Sequence, residues 1–391
     1  MGKTPRIAIQ IEKNRAHGRA LLLGIANYAL ERTDWRLEEA DPARLTDRDY
    51  LARFDGLIVR VMDNRTAEAL VESKKPVVDV YGRMDDNPLP SIRLDDCALA
   101  RMAAQCFADH RFEDVAYCGL GGLRFSAARG AAFAASAAEN GWHLDTCPES
   151  PKARLSDTFF RNERTDRIPD APLLKKWLES MPKPVAIFCC NDLRAIQVLK
   201  TCSAAGIAVP RDVAVLGVDN DTVLCTFTSP PLSSIETDPA ALGRQAAQLL
   251  AELLDTPRRQ RAPATLLHAP RCVIERTSTA TYSFRTPWLS DAFIFIRQRL
   301  GDGITAADVV RHLGYSHVYV NRLFKAEVGR SLQQEIIRQR LERACRLLRT
   351  TTRTAATIAA ECGYPSAQYF SHIFAAAFRT TPAAWRQLKT K

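Results

Sequence analysis

No apolar stretch in the chain approaches the ~20 residues needed to cross a bilayer. The opening residues hold no apolar core of an export signal. The expectation is a cytoplasmic protein with no membrane partner. Eleven cysteines are present, yet none falls in a Cys-x-x-Cys spacing, and Cys189-Cys190 is the one adjacent pair. Zinc ribbons and dithiol redox centres therefore lack their basic geometry. Buried free thiols in a reducing compartment are the reading, and no metal or cofactor is implied. Nucleophile-elbow (G-x-S-x-G) and metalloprotease (H-E-x-x-H) spacings are missing as well. Gly119-Leu120-Gly121-Gly122 is glycine-rich but matches neither the dinucleotide fingerprint nor a phosphate-binding loop, and it reads as a strand-to-helix turn. These absences make an enzyme the weaker of the candidate classes.

A chain of 391 residues exceeds a single core and implies two or three domains. The net charge of +10 is concentrated: residues 287–391 carry 16 Lys and Arg against 7 Asp and Glu, a local net of +9. A localised basic region is the footprint of a polyanionic partner.

From Arg6 to Val218, short apolar runs alternate with helical periodicity. Arg6–Ile11, Trp35–Glu38, Gly56–Val61 and Pro76–Val80 read as one series of strands, and Val115–Gly119, Val185–Cys189 and Val213–Val218 as a second. Helical patterns lie between and beyond them, the last at Pro239–Leu254. Such alternation predicts parallel sheets covered on both faces, hence two doubly wound α/β lobes. The charged loop Asp255–Arg261 precedes Ala264–His268 and Arg271–Glu275, which read as a late strand pair. A Ser/Thr-rich, aperiodic stretch, Thr277–Pro287, marks the boundary, giving an effector domain over 1–278, a linker over 279–287 and a final domain over 288–391.

That final domain is all helical and contains one pattern twice. Ala307–Ser316 leads into Val320–Lys325, and Ile358–Ser366 into Gln368–Phe374. Each copy is an apolar helix stopped at a glycine, a tight turn, and a second helix with an apolar inner face and a polar outer face. This is a helix-turn-helix in sequence form. The two Gly-Tyr turns lie 49 residues apart with a helix between them, so rigidly joined copies could reach neighbouring major grooves. Thr305 with Asp308, Ser316, Ser331 with Gln334, and Thr381-Pro382 supply helix starts.

Gly314-Tyr315-Ser316, Arg322-Leu323-Phe324-Lys325, Cys362-Gly363-Tyr364, Tyr369-Phe370-Ser371 and Thr381-Pro382 together make residues 288–391 resemble the AraC-type DNA-binding domain. Asn191-Asp192, Gly217-Val218-Asp219-Asn220, Pro230–Ile235 and Leu242-Gly243 make residues 6–278 similar to the sugar-binding half of LacI-type repressors, itself similar to periplasmic sugar-binding proteins. The DNA reader stands at the opposite end from its place in LacI-type repressors. The combined order resembles bacterial regulators of sugar operons. It implies a homodimeric activator of pentose-utilisation genes, with RNA polymerase as a further partner. D-Xylose is the first candidate effector, and another pentose or a hexose is left open.

The resemblance places Val318, Asn321 and Arg322 of the first unit, and Ala367, Gln368, Ser371 and His372 of the second, at base edges. The chemistry suits this: Arg pairs with guanine, Asn or Gln with adenine, and an apolar group with the thymine methyl. Lys325, Arg330 and Arg353 are read as phosphate contacts. For the sugar it implies Asn14, Asp95 or Asp96, Arg129, Asn191 and Asp219, with Phe125 as a stacking ring. Asp219 comes first because it ends a parallel strand, where such sheets place ligands. The alternatives left open are a helix cap for Asp219 and for Asp95 or Asp96, and a phosphate contact or ion pair for Arg322. The second unit departs from the family pattern at Ala375 and at Arg379-Thr380, where Lys and Gly are usual.

Overall fold

The computed structural model describes residues 4–32, 34–81, 88–148, 170–257, 264–284 and 286–387. The chain divides into two compact units, Met1–Ala280 and Thr281–Lys391.

Among the described residues, the first unit holds two six-stranded sheets. One contains β1 (Arg6–Gln10), β2 (Arg36–Glu39), β3 (Gly56–Val59), β4 (Val77–Asp79), β5 (Ser91–Leu94) and β11 (Thr265–His268), in the order β11-β5-β4-β3-β1-β2. The other contains β6 (Asp114–Cys118), β7 (His143–Thr146), β8 (Val185–Cys189), β9 (Val213–Val218), β10 (Ser233–Glu236) and β12 (Cys272–Ile274), in the order β12-β10-β9-β8-β6-β7. Every pairing is parallel except β10–β12. The central runs Gly56–Val59, Val185–Cys189 and Val213–Val218 are buried along their whole length. They read as unbroken apolar stretches because helices cover both faces.

The expected late strand pair does not form. β11 joins the edge of the first sheet beside β5, whereas β12 joins the second sheet beside β10. The chain thus crosses between sheets after β5, after β10 and again between β11 and β12. Adjacency in sequence suggested a hairpin, but free sheet edges in two different lobes claim the two segments instead.

The helices Ala16–Arg32 and Pro239–Asp255 pack closely against each other. A Cβ on Gly24 would lie 1.9 Å from the Ala240 carbonyl oxygen, and one on Gly243 would lie 2.1 Å from that of Leu21. Two glycines facing each other's backbones set this crossing, and Leu21, Ile25, Leu242, Ala246 and Leu250 bury around it.

The expected linker is divided between the units. Ser278 and Thr279 are buried, and Ser278 Oγ donates to the Val215 carbonyl at 2.6 Å. Tyr282 and Phe284 pack on Phe293, with ring centroids at 4.6 and 4.8 Å. The charged loop after Asp255 runs past residue 257, outside the described residues.

The second unit contains helices and no strand among its described residues. Its first helix-turn-helix comprises Ala306–Leu313 and His317–Val328, and its second Ala355–Glu361 and Ala367–Phe378. The helix Leu332–Thr350 runs between them and belongs to both cores. Leu332 and Ile336 bury with Val309, Val320 and Phe324, while Leu341, Ala344 and Leu348 bury with Ile358, Phe370 and Phe374. A second tie joins the two copies. A Cβ on Gly363 would lie 2.2 Å from the Leu300 carbonyl oxygen, and the buried Arg340 donates to the Ile304 carbonyl at 3.0 Å. The capping boxes at Thr305/Asp308 and Ser331/Gln334 form, and Ser316 accepts from the Tyr319 N–H at 3.3 Å.

Candidate functional site

The carboxyl ends of both sheets meet at one cleft, as expected for doubly wound sheets. The chain leaving β1 contributes Glu12, Arg15 and His17, that leaving β3 contributes Arg60, and that leaving β4 contributes Val80 and Tyr81. Arg93 and Leu94 end β5. From the other lobe come Arg124, Phe125 and Arg129 on the helix Arg124–Glu139, Asn191 after β8 and Asp219 after β9. Asp96 opens the helix that carries the chain from one sheet to the other. The cavity has a volume of about 110 Å³. A water occupies roughly 30 Å³ in the liquid, so the space suits a few waters or one small ligand.

Backbone geometry aims Asp219 into this space. Asp219 and Asn220 both take positive φ, 106° and 50°, a costly conformation for residues other than glycine. Asn220 is fixed by Glu236 and Arg276, each at 2.8 Å, and the Asp219 N–H donates to the Ile235 carbonyl at 3.0 Å. The helix cap here is Asp221, which accepts from the Leu224 N–H at 3.2 Å, so the capping alternative for Asp219 does not apply.

The buried Arg129 grips Asp96 through Nε at 3.1 Å and Nη2 at 3.0 Å, donates to the Cys190 carbonyl, and lies 5.4 Å from the Phe125 ring. Arg60 pairs with Glu12 at 2.5 Å and lies 4.9 Å from the Tyr81 ring. Burial, then the charges of Arg60, Arg15 and Arg129, push the His17 imidazole down to about 3, so it is neutral at physiological pH. Burial raises the Asp219 carboxyl to about 6 against the pull of the same arginines. Behind the cleft, buried Asp192 accepts from Ser234 Oγ at 2.5 Å and the Asp221 N–H at 2.9 Å. Burial and the Asp219 charge raise its carboxyl to about 8.

In the helical unit, each second helix of a pair buries one stripe and exposes the other. Val320, Phe324 and Val328 face inward on the first, Phe370 and Phe374 on the second. On the first, Val318, Arg322 and Lys325 are exposed, with Val318 at 78%. Asn321 is half-buried and lies 3.0 Å from the His317 ring, and the Arg322 guanidinium sits 6.0 Å from the Tyr319 ring. On the second, Gln368 and His372 are exposed, and Ala367 and Ser371 half-buried. Arg330 and Arg353, expected at phosphates, form ion pairs with Glu335 at 3.4 Å and Glu361 at 2.6 Å.

A periplasmic binding protein-like domain model matches residues 104–279, and a helix-turn-helix domain model matches residues 309–388. The xylose operon regulatory protein of Escherichia coli (strain K12) is 30% identical over 409 aligned positions, covering 100% of this chain and 98% of its own length. The chain belongs to the xylose operon regulatory protein family. The Haemophilus influenzae protein of that name is 29% identical over 97% of this chain and 98% of its own. The solved structure of the xylose-binding transcription activator xylR superposes with a TM-score of 0.60 at 29% identity, over 99% of this chain and 98% of that one. The CelR–cellobiose complex matches at 20% identity and a TM-score of 0.57 over 71% of this chain and 85% of that one, a likeness of fold alone. As a member of this family, the chain is a sugar-responsive DNA-binding transcription regulator and not an enzyme.

Five of the seven residues expected at the sugar line the cleft: Asp96, Phe125, Arg129, Asn191 and Asp219. Two do not. Asn14 is exposed, and the turn that carries it directs Arg15 and His17 to the cavity instead. Asp95 is the helix N-cap, accepting from the Ala98 N–H at 2.9 Å, which leaves its neighbour Asp96 for the site. Glu12, Arg60, Arg93 and Arg124 were not singled out in the sequence. The signal that could have found them is position, since Glu12, Arg60 and Arg93 end or follow strands of the first sheet. No helix among the described residues is long and apolar enough to cross a membrane.

Proposed function

We propose that the cleft is the effector site and takes one monosaccharide. In this reading a homodimer acts in the cytoplasm as an activator that contacts RNA polymerase. The sugar closes the two lobes and thereby alters the spacing of the paired DNA-binding units. The observation that carries it is the convergence of Asp219, Asn191 and the Phe125 ring on one cavity with side chains from the opposite lobe. Carboxylates and amides hydrogen-bond sugar hydroxyls, and an aromatic face covers the ring's C–H surface. Closure driven by a ligand is a population shift and requires the closed state to bind the sugar more tightly. The names of the relatives make D-xylose the reference sugar.

On DNA, the outer faces of His317–Val328 and Ala367–Phe378 enter the major groove. Val318, Asn321 and Arg322 read bases in the first unit, and Ala367, Gln368, Ser371 and His372 in the second, with Lys325 at phosphate. A DNA mobility-shift assay with a panel of monosaccharides tests both halves. A sugar-dependent change in the retained species is expected, with affinity falling steeply as salt rises because phosphates are neutralised. Asp219→Ala should abolish the sugar response and leave DNA retention intact. Retained sugar affinity of that variant in calorimetry would remove Asp219 from the site.

A further inference from the structure

Among the described residues three of the four exposed aromatic side chains, Tyr315, Tyr319 and Tyr369, lie at the two recognition helices, with Phe227 the fourth. Exposed rings are therefore concentrated where a duplex would be met. Two of them occupy one position of the repeat. Tyr319 is the third residue of His317–Val328 and Tyr369 the third of Ala367–Phe378. Each gives its N–H to the serine that caps its helix, Ser316 at 3.3 Å and Ser366 at 3.1 Å. Each ring is backed by the tyrosine of its own Gly-Tyr turn, with centroids at 5.5 Å for Tyr315 and Tyr319 and 6.3 Å for Tyr364 and Tyr369. Trp288 adds a third ring 6.0 Å from Tyr319. Packing thus steadies both rings, and neither hydroxyl bonds to the protein among the described residues.

An α-helix turns about 100° per residue. Val318, Arg322 and Lys325 share the outward stripe, opposite buried Val320 and Phe324. Tyr319 stands about a quarter-turn to one side of that stripe, and Tyr369 stands likewise beside Gln368 and His372. A helix with its side chains is about 10–12 Å across, and the major groove is about 12 Å wide. A helix seated there fills the groove, so its outward stripe meets base edges and its flanks meet the sugar-phosphate walls. We propose that Tyr319 and Tyr369 are paired backbone anchors, each donating its hydroxyl to a phosphate on the wall of the groove its helix occupies. The proposal rests on the outer faces of these helices entering the major groove, and adds one contact to each. A phenol is neutral, so it fixes position without reading a base and without releasing a counterion. The second recognition helix contains no lysine or arginine, and a neutral donor is the anchor its own side chains supply.

The test uses a duplex selected by the full chain from a random-sequence pool, with a scrambled duplex as reference. Affinity is measured by fluorescence anisotropy over a series of salt concentrations. Tyr319→Phe and Tyr369→Phe should each weaken binding about three- to tenfold, equally on both duplexes. The slope of log affinity against log salt should stay as it is, whereas Lys325→Gln should lower it by about 1. Phenylalanine keeps the ring, and with it the packing on Trp288 and the Arg322 guanidinium 6.0 Å from the Tyr319 ring. Melting curves of both variants establish that they fold. A methylphosphonate at the contacted phosphate should erase the difference between tyrosine and phenylalanine. Unchanged affinity in either variant, a loss confined to the selected duplex, or a lowered salt slope would overturn the phosphate anchors and leave the groove reading standing. If the full chain retains no duplex, the groove reading falls as well.

Discussion

Arg194→Ala gives the sharpest test of how the second lobe is held together. The guanidinium is 1% exposed and makes a bidentate pair with Asp170, at 3.0 and 2.7 Å. It also donates to Gln197 Oε1 at 2.9 Å, Cys118 Sγ at 3.1 Å and Cys147 Sγ at 3.6 Å. Cys118 lies in register with Cys189 on the neighbouring strand, and the Cys147 N–H bonds the Tyr117 carbonyl, so two thiols from neighbouring chain segments meet one buried cation. Burial pushes the Cys118 thiol up, but hydrogen bonds from Cys147 and Cys189 and the Arg194 charge bring it well below its ordinary value. Removing Arg194 strands Asp170, itself 8% exposed, without its counter-charge.

Breaking a buried pair from one side costs about 3–5 kcal/mol, because the remaining charge is left desolvated and alone. Replacing both partners by apolar residues of similar volume should cost much less. Urea unfolding of the full chain should therefore show a loss of about 3–5 kcal/mol for Arg194→Ala, and a markedly smaller loss for Arg194→Met combined with Asp170→Leu. The helical unit has its own cores, so its transition should not move. The loss reaches function through Asn191, which accepts from the Arg194 N–H at 2.9 Å and lines the cleft three residues earlier. A single-variant cost below about 1 kcal/mol, or a double variant as costly as the two singles added, would refute the account.

Asp192 sets a pH dependence of the sheet unit. Its folded carboxyl at about 8 lies above an unfolded value near 3.9, so its contribution is full in acid and is lost as pH rises through about 8. The thermal midpoint of that unit should fall from pH 6 to pH 9, and Asp192→Asn should flatten the slope. Arg379 ends the second recognition helix at φ 54°, where the first unit has Gly329 at φ 74°; Arg379→Gly should stabilise the helical unit by about 1 kcal/mol in thermal melts, and a loss of stability would contradict the strain argument. Gly243→Ala drives a methyl group to 2.1 Å from the Leu21 carbonyl and should cost about 1–3 kcal/mol by differential scanning calorimetry, with unchanged stability as the refuting outcome. Arg322→Ala should cost about 1–3 kcal/mol on a specific site and relax preference at one base pair; equal losses on specific and scrambled DNA would make it a backbone contact.

The sequence by itself determined whatever depends on near neighbours. The alternation of apolar runs with helical periodicity is local, so both strand series and the two Gly-Tyr turns were legible. Thr305, Ser316 and Ser331 were readable as caps because a cap bonds within three residues of itself. Asp219 was legible because a strand's carboxyl end is a local feature. What remained was decided by contacts distant along the chain. Thr265–His268 and Cys272–Ile274 look like a hairpin until sheet edges in two lobes compete for them. Asp95 and Asp96 are interchangeable in sequence, and only the helix axis assigns one to the cap and the other to Arg129. The five cleft arginines are spread from Arg15 to Arg129, and Arg194 meets Asp170 and the thiols of Cys118 and Cys147 from distant segments. Charge gathers there through the convergence of two sheets, a tertiary event that leaves no periodic trace in the residues it brings together.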